Sequence, residues 1–246
     1  MRAIKTQCAG GSKGSCAIDF HRKEIALPFA PKLDILPPEQ RELWPALAAV
    51  PGSFVLYGGT GLALRLGHRV SEDFDFFSSA PFQPEDLERT LPFLAGSVRL
   101  QIAANTLTSR AGIGSGVKVS FFGGLRLRRI ADPDLAADTG VRVASLLDLA
   151  GCKAQVVQAR AESKDYLDLA RLLDEGIGLD TALGAARAIY GESFNPLLSL
   201  KALSYFSDGD LAALAATVRD RLLCAVRRVD PGALPRFEPL PGGLAP

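Results

Sequence analysis

Phe54-Val55-Leu56-Tyr57-Gly58-Gly59-Thr60 and Glu72-Asp73-Phe74-Asp75-Phe76-Phe77-Ser78 are the two stretches that decide how this chain folds. In the first, an apolar strand runs into two glycines and a helix starting at Thr60. Backbone can then approach a ligand closely, with helix N-terminal N–H groups aimed at any phosphate. Alone, the glycine pair serves equally as a tight strand-to-helix turn with Thr60 as N-cap. In the second, strand periodicity puts Asp73 and Asp75 on one face and Phe74 and Phe76 on the other. Paired hard oxygen ligands at that spacing suit a Mg²⁺ ion bridging a nucleotide's phosphates, against the plainer reading of a solvated acidic strand face.

Around these stretches the period changes repeatedly from about residue 38 to 130. Helix is expected over 39–49, 60–66 and 84–91, and strand over 53–57, Asp73–Phe77, Val98–Ala103, 106–109 and Val117–Phe122. Past 141 only helical stripes remain, at 144–159, Ser163–Asp174, 181–190, 196–206 and 211–229. The expected architecture is α/β: a mixed sheet with flanking helices over 37–140, then a helical lobe over 141–230. Residues 1–36 read as a poorly ordered arm, and 231–246 as a Pro/Gly-rich tail. The Gly10-Gly11-Ser12-Lys13-Gly14-Ser15 run has the wrong order for a phosphate loop and no preceding strand.

Composition narrows the function classes. The 246 residues are 48% hydrophobic and 22% charged, which suits a globular protein and excludes disorder and fibre. Lys plus Arg number 28 against 27 Asp plus Glu, so no global basic field exists and any nucleic-acid site must be a local patch. Arg126, Arg128 and Arg129 form the densest one, and a solvated loop is its plainer reading. Four scattered cysteines and two histidines, His21 and His68, argue against a disulfide framework or a zinc site. His68, after the first helix, reads as a turn or capping residue. With no apolar run of about 20 residues and no signal-like N-terminus, a cytoplasmic protein is expected, with no membrane partner.

Two features of the helical part could carry chemistry. Lys153 occupies a slot in the stripe Leu146, Leu149, Ala150, Val157 where an apolar residue is expected, and Arg160 follows on the same face. These cations either snorkel or reach across the lobe boundary to a triphosphate. In Ser163-Lys164-Asp165-Tyr166-Leu167-Asp168 two carboxylates lie at i and i+3 on one helix face, which acids favouring the helix dipole would also explain.

Tyr57–Phe77 with its Gly-Gly and Asp-x-Asp, Val117–Phe122, Leu149-Ala-Gly-Cys-Lys153 and Lys164-Asp-Tyr-Leu-Asp-Leu169 together resemble the AbiEii/AbiGii-type nucleotidyltransferase toxins. That family lies within the DNA-polymerase-beta-like nucleotidyltransferase superfamily, and the similarity covers about residues 40 to 206. The resemblance implies a minimal nucleotidyltransferase sheet followed by helices, and Mg²⁺-dependent transfer of a nucleotide from an NTP to an acceptor, tRNA ends in some members. By position it implies that Gly58, Gly59 and Thr60 cradle phosphates and Asp73 and Asp75 hold metal. Lys153 would grip the triphosphate, and Asp165, or Asp168, would act as a further acid or base. It also implies a role as the toxin of a toxin–antitoxin or phage-defence system, with an antitoxin partner. One position departs from the superfamily pattern: Ser120 stands where a third carboxylate is common. Two alternatives therefore accompany the enzyme reading, a non-catalytic nucleotide-binding module and a transferase acting on a small molecule.

Overall fold

The computed structural model describes residues 28–112 and 116–245. The expected N-terminal arm therefore lies largely outside the described residues, as do its Gly10–Ser15 run, His21, Cys8 and Cys16. From residue 28 onward the arm's end is packed. Phe29 bridges to Ala136, and Ile35 and Leu36 are buried.

Seven strands form one mixed sheet, β1 Val55–Leu56, β2 Asp73–Phe77, β3 Val98–Ala103, β4 Thr106–Ala111, β5 Val117–Phe122, β6 Asp134–Leu135 and β7 Arg142–Val143, in the order β3-β4-β5-β2-β1-β7-β6. β2 runs parallel to β5 and antiparallel to β1, while β7 joins β1 in parallel. The two-residue strands β6 and β7 were not expected, because two residues are too few to display a period.

One face of the sheet buries Phe74, Phe76, Val119, Phe121 and Leu107 against Trp44, Leu47 and the helices α1 Pro38–Leu43 and α3 Pro84–Thr90. The opposite face carries α2 Gly58–Leu66 and a second core. There Val55, Tyr57, Leu62 and Leu66 meet Leu149, Tyr166, Leu169 and Leu183 from the helices α4 Leu146–Val156, α5 Ser163–Asp174 and α6 Leu179–Tyr190. Two more helices, α7 Pro196–Ala202 and α8 Ala216–Arg228, complete the helical part.

Helix boundaries differ from expectation for identifiable reasons. The helix expected over 39–49 stops at Leu43 and continues as a 3₁₀ turn over Trp44–Ala49, since Pro45 cannot donate a helical hydrogen bond. The last expected helix divides likewise, a short 3₁₀ turn over Leu211–Ala213 preceding α8. α4 begins later than expected because Ser145 caps it, its hydroxyl accepting from the Asp148 N–H. The Pro/Gly-rich tail packs rather than trailing. Leu234 and Leu244 are buried, and the Leu244 N–H donates to Ser79 Oγ at 3.1 Å.

Candidate active site

Asp73 and Asp75 stand together on the face of β2 opposite the buried Phe74 and Phe76. In the parallel register with β5, Asp73 faces Lys118 and Asp75 faces Ser120. The Lys118 ammonium lies 3.4 Å from Asp73 Oδ2, and the buried Ser120 hydroxyl hydrogen-bonds Asp75. Burial raises the affinity of the Asp75 carboxyl for a proton, with the nearby Asp73 charge adding to it, while Lys118, Ser120 and Arg160 act in the other direction.

Beside this pair the chain turns into α2. The helix starts at Gly58, two residues before the expected Thr60, with the extended Tyr57 as an N-cap that supplies no side-chain acceptor. The first N–H groups of a helix have no partner within it, so those of Gly58, Gly59 and Thr60 are available at the N-terminus. Glycine at 58 has two causes. Its φ is +71°, and a Cβ there would sit 3.1 Å from Asp75 Oδ2. At Gly59 a Cβ would run into the Arg69 guanidinium. Thr60 is not the N-cap. Its hydroxyl donates to the Asp73 carbonyl and shares a 2.7 Å hydrogen bond with Ser71 Oγ, so only its backbone N–H remains to meet a phosphate.

Behind the turn lies a buried charge cluster that draws on α4, α5 and the segment after α2. Lys153, only 5% exposed, places Nζ 2.7 Å from Asp165 Oδ1 and 2.6 Å from Asp168 Oδ2. Arg69 donates through Nε and Nη2 to the two oxygens of Asp168, at 2.7 and 2.8 Å, and His68 Nε2 lies 2.7 Å from Oδ1. Arg160 donates through Nε and Nη2 to Asp165, at 2.8 and 3.2 Å. Both carboxylates are wholly buried. Burial alone would raise their proton affinity, but the donors outweigh it: Arg160 and Lys153 hold Asp165 below the usual carboxylate range, and Arg69, His68 and Lys153 hold Asp168 far below it.

The structure thus brings every expected site residue to one side of the sheet, with two changes of setting. Lys153 and Asp165, expected to grip the triphosphate and to act as a further acid or base, are inside the protein and paired with each other. Asp165, buried and held below the usual carboxylate range by Arg160 and Lys153, thus sits in a different setting from the acid or base expected of it. Sequence reasoning missed Arg69 and Lys118, and set His68 aside as a turn residue. The signal for His68 and Arg69 was their position after the left-handed cap Gly67, where the chain leaves α2 and returns toward the sheet. Arg129, expected in a solvated loop, is buried, donating to Asp132 Oδ1 at 3.0 Å and to tail carbonyls at Gly243 and Ala245. Among the described residues no three Asp, Glu, His or Cys side chains converge as a metal cluster, and no helix is long and apolar enough to cross a membrane.

Comparison with known proteins adds the following. A crystal structure of a proposed nucleotidyltransferase from H. pylori is similar at a TM-score of 0.47 and 17% identity, over 76% of this chain and 90% of that one. An uncharacterised protein of Aquifex aeolicus (strain VF5) is 34% identical over 135 residues, which make up 53% of this chain and 64% of that relative, less than two thirds of its length. The model of the nucleotidyl transferase AbiEii toxins of type IV toxin–antitoxin systems matches residues 42–223, a span that contains the glycine turn, the β2 carboxylates and the whole charge cluster. The chain belongs to the AbiEii nucleotidyltransferase toxin family.

Proposed function

We propose that the protein is a Mg²⁺-dependent nucleotidyltransferase that moves a nucleotide from an NTP to an RNA hydroxyl, as the toxin of a type IV toxin–antitoxin pair. The observation that carries this reading is the placement of two same-face carboxylates, Asp73 and Asp75, beside the uncapped N-terminus of α2. The N–H groups of Gly58, Gly59 and Thr60 would receive phosphate oxygens there. The donor set suits Mg²⁺: two carboxylates and the Ser120 hydroxyl are hard oxygen ligands, and the absent Cβ at Gly58 leaves Asp75 Oδ2 uncrowded. When bound, the ion would neutralise charge on the phosphates and on the forming and breaking bonds. The chain's own groups do the rest by positioning. As the acceptor oxygen bonds to the α-phosphorus, the bond to pyrophosphate breaks and the acceptor proton passes to solvent, with the α2 N–H groups steadying the phosphate oxygens. Lys153 and Asp165 supply the fixed charge behind the turn.

One observation favours a second reading. Ser120 occupies the position beside Asp75 where a third carboxylate would complete the metal site, as a binding module without turnover would have it. Purified protein incubated with each labelled NTP, Mg²⁺ and either total RNA or small hydroxylated acceptors separates the alternatives. Label in RNA that disappears in Asp75→Asn supports the enzyme, since the amide keeps the shape of the carboxylate and loses its charge. Label in a small acceptor alone changes the substrate class, and NTP binding without transfer supports the module.

A further inference from the structure

Lys153 is the lysine that the family resemblance assigns to the triphosphate, yet its ammonium is enclosed with both partners at 2.6–2.7 Å. To reach a phosphate it would have to give up contacts to two buried carboxylates at once, which is costly. Arg69, near Gly59, is also committed: Nε and Nη2 bind Asp168, and Nη1 donates to the Val70 carbonyl at 3.0 Å. Arg160 differs from both. Its side chain is 42% exposed, and Asp165 holds one edge of the guanidinium through Nε and Nη2. Among the described residues Nη1 has no hydrogen-bond partner, and the nearest other carboxylate, Glu162, is 3.6 Å from Nε and 2.8 Å from Lys164.

Its charge also acts on the right neighbours. Arg160 and Asp75 influence each other's ionisation, and Arg160 also acts on Arg69, whose guanidinium lies against Gly59. Arg69, Lys153 and Arg160 against Asp165 and Asp168 leave one positive charge uncompensated among these five side chains, and Arg160 is the most exposed of the three cations. A guanidinium braced along one edge by a buried carboxylate keeps its other N–H groups pre-aimed, the arrangement suited to gripping phosphate oxygens.

We propose that Arg160 is the side chain that grips the polyphosphate of the nucleotide, and that Lys153 is a positioning residue acting through Asp165. The assignment rests on the nucleotidyltransferase reading above and is tested apart from it. Titration calorimetry with Mg²⁺ would be run with inorganic tripolyphosphate and with each NTP on wild type, Arg160→Gln and, as a control of equal charge change, Arg227→Gln on the exposed end of α8. Arg160→Gln should weaken both ligands at least about tenfold, as loss of a charge-assisted contact requires, and Arg227→Gln less than about twofold. Because Arg160→Gln thins the support of a buried carboxylate, a measurement without any variant accompanies it. Phenylglyoxal labelling of wild-type Arg160, read by peptide mass, should be blocked by tripolyphosphate over the same concentration range as binding. Wild type that binds no NTP would overturn the function reading. Wild type that binds, with Arg160 labelled equally at saturating tripolyphosphate or Arg160→Gln folded and binding unchanged, would overturn the role of Arg160 alone.

Discussion

Lys153 breaks the apolar stripe of α4 because its destination is inside the protein. An ammonium with two carboxylates at hydrogen-bond distance is stable at 5% exposure, but each member depends on the others. Lys153→Ala would leave Asp165 and Asp168 each short of one partner inside the protein. A loss of about 3–5 kcal/mol of stability is expected, the range for breaking a buried ion pair, measured as a lower urea midpoint at unchanged slope. A loss below about 1 kcal/mol would mean that the cluster relaxes and that the lysine is not structural. The acidic partners were visible in the sequence at i and i+3. That they close around Lys153 was not, since both snorkelling and a cleft-facing cation satisfy the same spacing.

At the level of elements, α4 and α6 approach so closely that Gly151 has no room for a side chain. A Cβ there would meet the Ala186 nitrogen at 2.9 Å, the Ala185 carbonyl carbon at 3.0 Å and Ile189 Cδ1 at 2.8 Å. Two of those three are backbone atoms, which cannot rotate away. Alanine gains up to about 1 kcal/mol over glycine in a free helix, whereas overpacking costs about 1–3 kcal/mol. Gly151→Ala should therefore be net destabilising in chemical denaturation, and a raised midpoint would show that the α4–α6 spacing yields. This glycine carried no signal in the sequence, because a small residue on an apolar stripe does not reveal which helix it faces.

For the whole molecule, the sheet and the helical part are fastened together by polar contacts as well as by the core. Asp148, 1% exposed near the start of α4, accepts the N–H groups of Ile130 and Ala131 at 2.9 and 3.2 Å and the Ser145 hydroxyl. Arg129 holds the tail, which also crosses α6 with Pro235 against Gly184. Burial raises the Asp148 carboxyl to about 6 despite its three donors. An acid whose folded pKa exceeds its unfolded value of about 3.9 binds its proton first in the folded state. Its contribution therefore grows as pH falls from about 7 to about 4 and is lost on the way back up, by about 3 kcal/mol at most for a gap of about two units. Asp165 and Asp168, with lowered pKa values, act oppositely: they stabilise above about pH 4, and that support goes as pH drops through their folded values. Asp148→Asn should flatten the stability profile between pH 4 and 7 relative to wild type. Parallel profiles would mean that Asp148 titrates as an ordinary carboxylate.

The sequence alone determined the features that repeat at short range. Strand alternation put Asp73 and Asp75 on one face with Phe74 and Phe76 on the other, the glycine pair marked the turn into α2, and the loss of strand period past about residue 141 set off the helices, although the two-residue β7 falls just beyond that point. Only the tertiary structure decided the partners. Asp168 collects His68 and Arg69 across about 100 residues of chain, Asp165 braces Arg160, and Ser120 stands beside Asp75. The physical reason is that periodicity records which face a residue is on, while desolvation and charge pairing depend on what folds against that face. A lysine bound for a phosphate and a lysine sealed between two aspartates occupy the same slot in the helical repeat, and they differ only once α5 has packed over it.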